Sequence, residues 1–144
     1  MVDYRYPTHC HDTWTVLIVD EGALRYDLDT RHHRNGAAED TVSVLPPGAA
    51  HNGGPTTRHG AFRKRNLYLD AGFLPNGLVG PAMTGSTFRD RELRGALAAL
   101  HERLRDPEPL DVETRLALIA ERIRARLTPI TSPGTSRCRP PTNS

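Results

Sequence analysis

Residues 9–22 read His9-Cys10-His11-Asp12-Thr13-Trp14-Thr15-Val16-Leu17-Ile18-Val19-Asp20-Glu21-Gly22. From Trp14 to Val19 the side chains are mostly β-branched or aromatic, which predicts a strand. Asp20-Glu21-Gly22 supplies a turn, and Ala23–Leu28 alternates as a second strand, expected to pair back on the first as a hairpin. Residues two apart on a strand share a face, so His9 and His11 point together and Cys10 points away. If that face is the inside of a barrel, Thr15, Leu17 and Val19 continue it. Trp14 is expected to anchor a core.

Working outward, the polar run Arg31-His32-His33-Arg34-Asn35-Gly36 predicts a turn at Asn35-Gly36, with His32 and His33 solvated. Thr41–Leu45 reads as a strand stopped by Pro46-Pro47-Gly48, and Arg63–Leu69 as another. Short strands separated by Gly and Pro predict an antiparallel sandwich or closed barrel. Residues 73–85 carry Pro75, Gly77, Gly80, Pro81 and Gly85 and read as an irregular connector.

Helical periodicity follows. Thr87 with Asp90 three residues on has a capping-box pattern, and Leu93, Leu97, Leu100 and Leu104 recur behind it. Pro107 and Pro109 end that helix, and Asp111 is placed to cap a second one. The second carries Val112, Leu116, Ile119, Ile123 and Leu127. Two such helices with a short link predict an antiparallel pair. From Thr128 the composition turns to Pro, Ser, Thr and Gly, which cannot bury a core. The expected organisation is a barrel with its connector over 1–86, a helical hairpin over 87–127, and a flexible tail or linker over 128–144.

Composition narrows the function classes. The chain has 144 residues and two cysteines, Cys10 and Cys138, fewer than a disulfide framework uses, so a cytoplasmic setting is expected. No run approaches the ~20 apolar residues of a membrane span, and no membrane partner is expected. The formal net charge is +2, Lys64 is the only lysine, and arginines alternate with acidic residues rather than forming a stripe. That distribution is a solvated surface, not a nucleic-acid footprint.

The chemistry-bearing pattern is His9, His11, Thr15 and Gly22, followed by Pro46-Pro47-Gly48-Ala49-Ala50-His51. A turn at Pro47-Gly48 would bring His51 toward the first two histidines. Three imidazoles in a cavity make either a metal site or a polar ligand pocket. The spacing resembles the cupin motifs HxHx(3,4)Ex(6)G and PxGxxHx(3)N at His9, His11, Gly22, Pro46, Gly48 and His51. Thr15 stands where those motifs have a metal-binding Glu, and Pro55 where they have Asn. A hydroxyl is a poor ligand beside a carboxylate, so no metal or other cofactor is expected. Any metal would sit on His9, His11 and His51.

Over a longer stretch, YPTHCHDTWTVLIVDEGALRY, VSVLPPGAAHNGG and AFRKRNLYLDAGFL together resemble the N-terminal effector-binding domain of AraC-type transcriptional regulators. The resemblance covers about residues 6–127. It implies a mainly β fold, a cupin-like double-stranded β-helix barrel followed by a C-terminal antiparallel α-helical hairpin. It further implies a non-enzymatic ligand sensor that binds a small organic effector and forms a homodimer through the hairpin. The pocket residues expected on this basis are His9, His11, Thr15 and His51, with Lys64 and Asn66 from the late strand. Lys64, Asn66 and Tyr68 alternate on one face of that strand, which is either inward or solvated. The chain ends at Ser144 in a segment unfit for the family's helix-turn-helix motifs, so no DNA contact is expected from this chain alone. The alternative is a metal-dependent cupin enzyme with a three-His site.

Overall fold

The computed structural model describes residues 6–9, 12–28, 31–55 and 62–128, with the backbone alone at 6–9 and 53–55. His11, Cys10, Cys138, the side chain of His9 and the tail beyond Thr128 lie outside what is described. Eight strands run in order: β1 (Tyr6–His9), β2 (Trp14–Glu21), β3 (Ala23–Leu28), β4 (Arg31–Gly36), β5 (Thr41–Leu45), β6 (His51–Pro55), β7 (Arg63–Leu69) and β8 (Thr87–Arg89). Three α-helices lie among the described residues: α1 (Val79–Thr84), α2 (Arg91–Arg103) and α3 (Pro109–Leu127).

The strands form two four-stranded antiparallel sheets, ordered β1-β6-β3-β4 and β7-β2-β5-β8. β2 lies inside its sheet and is buried on both faces, which is why Trp14–Val19 reads as an unbroken buried run. One face, Trp14, Val16 and Ile18, joins Val42 and Val44 of β5 in a core capped by helical leucines and isoleucines. The other face, Leu17 and Val19, packs with Leu24, Tyr26, Leu28, Leu45 and Ala49 between the two sheets. The barrel interior and the helix-covered core therefore lie on opposite sides of one strand.

Several local expectations are corrected. β3 does not pair with β2; it crosses to the other sheet and pairs with β4 and β6. Gly22, at φ 73°, makes the left-handed corner that this crossing requires. Arg31–Gly36 is an edge strand, not a turn. Its outward Arg and His residues are solvated, while Asn35 is fully buried. Residues 73–85 are not wholly irregular, since they contain α1. Thr87 does not cap a helix but pairs in β8 opposite Ser43.

Asp90 caps α2 instead, accepting the Leu93 N–H at 2.9 Å. Glu108, rather than Asp111, caps α3 by accepting the Asp111 N–H at 2.8 Å. Within α2, Leu93, Leu97 and Leu100 are buried, and Leu104, just past its end, is exposed. Within α3, Ile119, Ile123 and Leu127 are buried in the same core. Val112 and Leu116 pack against its margin. No described helix is long and apolar enough to cross a membrane.

Candidate functional site

β2 sets the reference for the interior. Thr15, Leu17 and Val19 alternate with Trp14, Val16 and Ile18 and so face inward. In β7 the residues directly opposite are Tyr68, Asn66 and Lys64 respectively. Cross-strand partners share a face, so all three point inward with β2's inner residues. Lys64 and Asn66, either inward or solvated from sequence alone, lie on the inward side. Each side chain is half-buried, and Tyr68 remains 52% exposed. The interior is thus reachable along the β7 edge.

The expected pocket residues fall into two groups. Thr15, Asn66 and Lys64 share the β7-β2 wall, although Thr15 and Lys64 are separated by four residues, roughly 13 Å along the strand. His51 belongs to the opposite sheet, with its Cα partnered by His9 of β1 and Leu28 of β3. His51 Nδ1 lies 3.2 Å from the Ala49 carbonyl oxygen, which assigns its proton to Nδ1. His9 and His51 are thus neighbours by backbone register, while Thr15 stands across the barrel. Among the described residues no set of three metal-binding side chains comes together.

Electrostatics distinguish the members of the β7 wall. Burial pushes the Lys64 ammonium below its ordinary value. Asn66 Nδ2 donates to the Tyr68 hydroxyl at 2.8 Å. Asn66 Oδ1 is buried and has no hydrogen-bond partner among the described residues.

A second polar cluster escaped the sequence reading. It fills the seam where β4 of one sheet meets β8 of the other. The Tyr26 hydroxyl lies 2.7 Å from Ser86 Oγ and 2.6 Å from Thr87 Oγ1. Thr87 Oγ1 is 2.9 Å from Ser43 Oγ, which accepts from Asn35 Nδ2 at 3.0 Å. Thr41 Oγ1 donates to Asn35 Oδ1 at 2.8 Å. His33, expected to be solvated, is half-buried and stacked on Tyr26 at 5.1 Å, with Nδ1 3.3 Å from Ser86 Oγ. Burial, with Arg31 nearby, lowers its pKa. The legible signal lay in Thr41-Val42-Ser43-Val44, where polar residues occupy the inward positions.

The seam leads directly to the helices. Two residues beyond Ser43's partner Thr87 comes Arg89, whose carbonyl accepts from Arg126 Nη2 at 2.7 Å. Next is Asp90, which takes two hydrogen bonds from Arg122. Burial alone would raise the Asp90 carboxyl. The Arg122 contact and the Leu93 N–H outweigh that and hold it below the usual carboxylate range. Beside this junction is a surface depression of about 230 Å3 lined by Ala38, Glu39, Asp40, Arg89, Asp90 and Arg91. It lies outside the barrel and includes none of the expected pocket residues.

Two antiparallel sheets enclosing a mixed apolar and polar interior, with helices packed on one sheet, form a cupin-like fold. The sequence matches the family model described as the AraC-like ligand binding domain over residues 2–120, and the chain belongs to that family. Two solved structures share the fold. The AraC-like transcriptional activator CuxR superposes with a TM-score of 0.66 at 16% identity, covering 88% of this chain and 46% of that one. Apo ToxT from Vibrio cholerae superposes at 0.61 with 8% identity, covering 88% of this chain and 54% of that one. The chain spans about half the length of either protein. No curated protein sequence matches it.

Proposed function

We propose that this domain senses a small organic effector inside the barrel and acts as the ligand-binding part of an AraC-type regulator. The observation that carries this reading is the β7 wall. Tyr68 is half-exposed while standing opposite the buried, inward Thr15, so an inner face with polar side chains is open to a ligand. Leu17, Val19 and Leu45 offer the apolar surface that such pockets use alongside a few polar groups. Thr15, His51, Lys64 and Asn66 are the residues we place in contact with the effector, with His9 adjoining His51 by register. Its signal would pass through β8 to Asp90, Arg122 and Arg126, and so to α2 and α3 packed as an antiparallel pair.

We further read α3 as a self-association element. The stripe expected to form the seam, Val112 to Ile123, is turned into the molecule's own core. The outward leucines are Leu110 and Leu118, 68% and 66% exposed, two helical turns apart on α3. A symmetric dimer through this side is the arrangement we favour.

The test of sensing is a thermal-shift screen of metabolite-sized compounds, repeated on Leu17→Trp, which fills the interior. Saturable stabilisation of the wild type that vanishes in the variant supports the reading. Hits that bind both proteins equally would place the ligand elsewhere and refute it.

A further inference from the structure

At one end of the β2–β5 ladder a helix side chain stands where the next ladder bond would be. The Val44 N–H donates to the Ser86 carbonyl at 2.7 Å, so the backbone groups of Val44 face β8. Alternation then turns those of Leu45, Ser43 and Thr41 toward β2. Leu45 and Ser43 have their partners there, Thr15 and Leu17 respectively. The same register would make Val19 and Thr41 the next hydrogen-bonded pair. Among the described residues, however, the ladder ends at Leu17 and Ser43. No bulge intervenes, because β2 keeps one continuous register with β7 as far as Val19 opposite Lys64. The Val19 carbonyl therefore points toward β5, and it accepts from Arg94 Nη2 of α2 at 2.6 Å. Thr41 is meanwhile tied into the seam through Asn35 and Gly36.

We infer that Arg94 is the positioning residue of a two-position latch between α2 and the end of β2. In the position seen, α2 grips Val19 and the two strands stay parted there. In the other, Val19 closes onto Thr41 and the guanidinium is released to water, loosening the hold of α2 on the barrel. The exchange trades one hydrogen bond to a backbone acceptor for another, so a modest push on the strand decides between the two. Val19 is fully buried on the inner wall opposite Lys64, where such a push would be delivered. That last link rests on the sensing reading above, and it gives α2 a route from the barrel separate from Asp90 and Arg122.

The test uses no effector, so its failure leaves the sensing reading standing. In a closed antiparallel ladder the α-protons of a non-hydrogen-bonded pair lie close enough for a strong Overhauser contact. Val16 and Val44 form such a pair and supply the reference within the isotope-labelled chain. In the wild type the contact between Ile18 and Val42 should be weak beside it. Arg94→Met keeps the stem and removes the donors. It should raise that contact to the reference level and speed exchange of the Ala96 and Leu97 amides about three- to tenfold. Arg94→Lys keeps a donor and should retain the wild-type pattern. If the methionine variant does not fold, Arg94→Gln, too short to reach Val19, gives the same readout. A wild-type contact already equal to the reference overturns the latch. So does a contact that neither Arg94→Met nor Arg94→Gln strengthens, even where exchange in α2 is faster, since the bond would then be structural only.

Discussion

Asp90 and Arg122 meet through two hydrogen bonds, Nε to Oδ2 at 2.8 Å and Nη2 to Oδ1 at 3.1 Å, joining the start of α2 to the body of α3. The same carboxylate caps α2, and its backbone N–H donates to the Asp40 carbonyl at 2.9 Å. One residue thereby ties the β5 turn to both helices.

Asp90→Ala should destabilise the fold by about 1–3 kcal/mol, from the lost cap and the unpaired groups left behind. Urea melts followed by Trp14, the only tryptophan and fully buried, measure it directly. The acid dependence has a definite sign. A carboxyl held low in the native state contributes above its unfolded value, about 4, and loses that contribution as the pH falls through its native value. The stability gap between wild type and Asp90→Asn should therefore shrink in strong acid.

His33 titrates in the opposite region. Burial favours its neutral form in the folded chain, so the unfolded chain takes up the proton first as pH falls below about 6.5. Stability should drop over that window, down to the lowered native pKa. His33→Gln should flatten part of the drop. His101, which burial and the neighbouring Arg65 lower in the same sense, contributes a further share. Melts between pH 7.5 and pH 5 on His33→Gln and His101→Gln separate the two shares. An unchanged slope in His33→Gln contradicts the assignment.

Two leucines of α3 should behave differently. Leu118→Glu is expected to leave stability nearly unchanged and convert a dimer to a monomer in sedimentation at tens of micromolar. Leu116→Glu inserts a charge at the margin of the helix-covered core and should lower the melting temperature. A wild type that sediments as a monomer at that concentration removes self-association from the proposal.

Purified protein should carry well below one equivalent of transition metal by elemental analysis. The motivation is chemical: Thr15 offers a hydroxyl where cupin metal sites have a carboxylate, and it stands in the sheet opposite His51. About one zinc, iron, nickel or manganese per chain, lost in His51→Ala, would bring the cupin-enzyme alternative forward.

Much of the architecture was legible because periodicity survives tertiary context. Trp14–Val19, Thr41–Leu45 and Arg63–Leu69 are strands, and the leucine and isoleucine spacings are those of α2 and α3. What misled was local chemistry put to non-local use. Asn35-Gly36 has turn composition, yet Asn35 is consumed by Ser43 and Thr41 on another strand. Thr87 has the chemistry of a cap, but its hydroxyl is taken by Tyr26 and Ser43, and the helix begins beyond Asp90. Gly22 announced a corner without saying which sheet lay beyond it. At the site, alternation placed Lys64 and Asn66 together, but only the β2–β7 register chose their side.

The β4–β8 seam has a consequence for how the barrel breathes. Its contacts join hydroxyls, an amide and an imidazole, and each can exchange a protein partner for water at little net loss. The leucines and valines deeper inside have no such substitute. One flank of the barrel therefore parts wet while its centre stays dry. Hydrogen exchange should be graded to match, with the amides of Ser86 and Thr87 yielding to deuterium well ahead of those of Leu17 and Ile18.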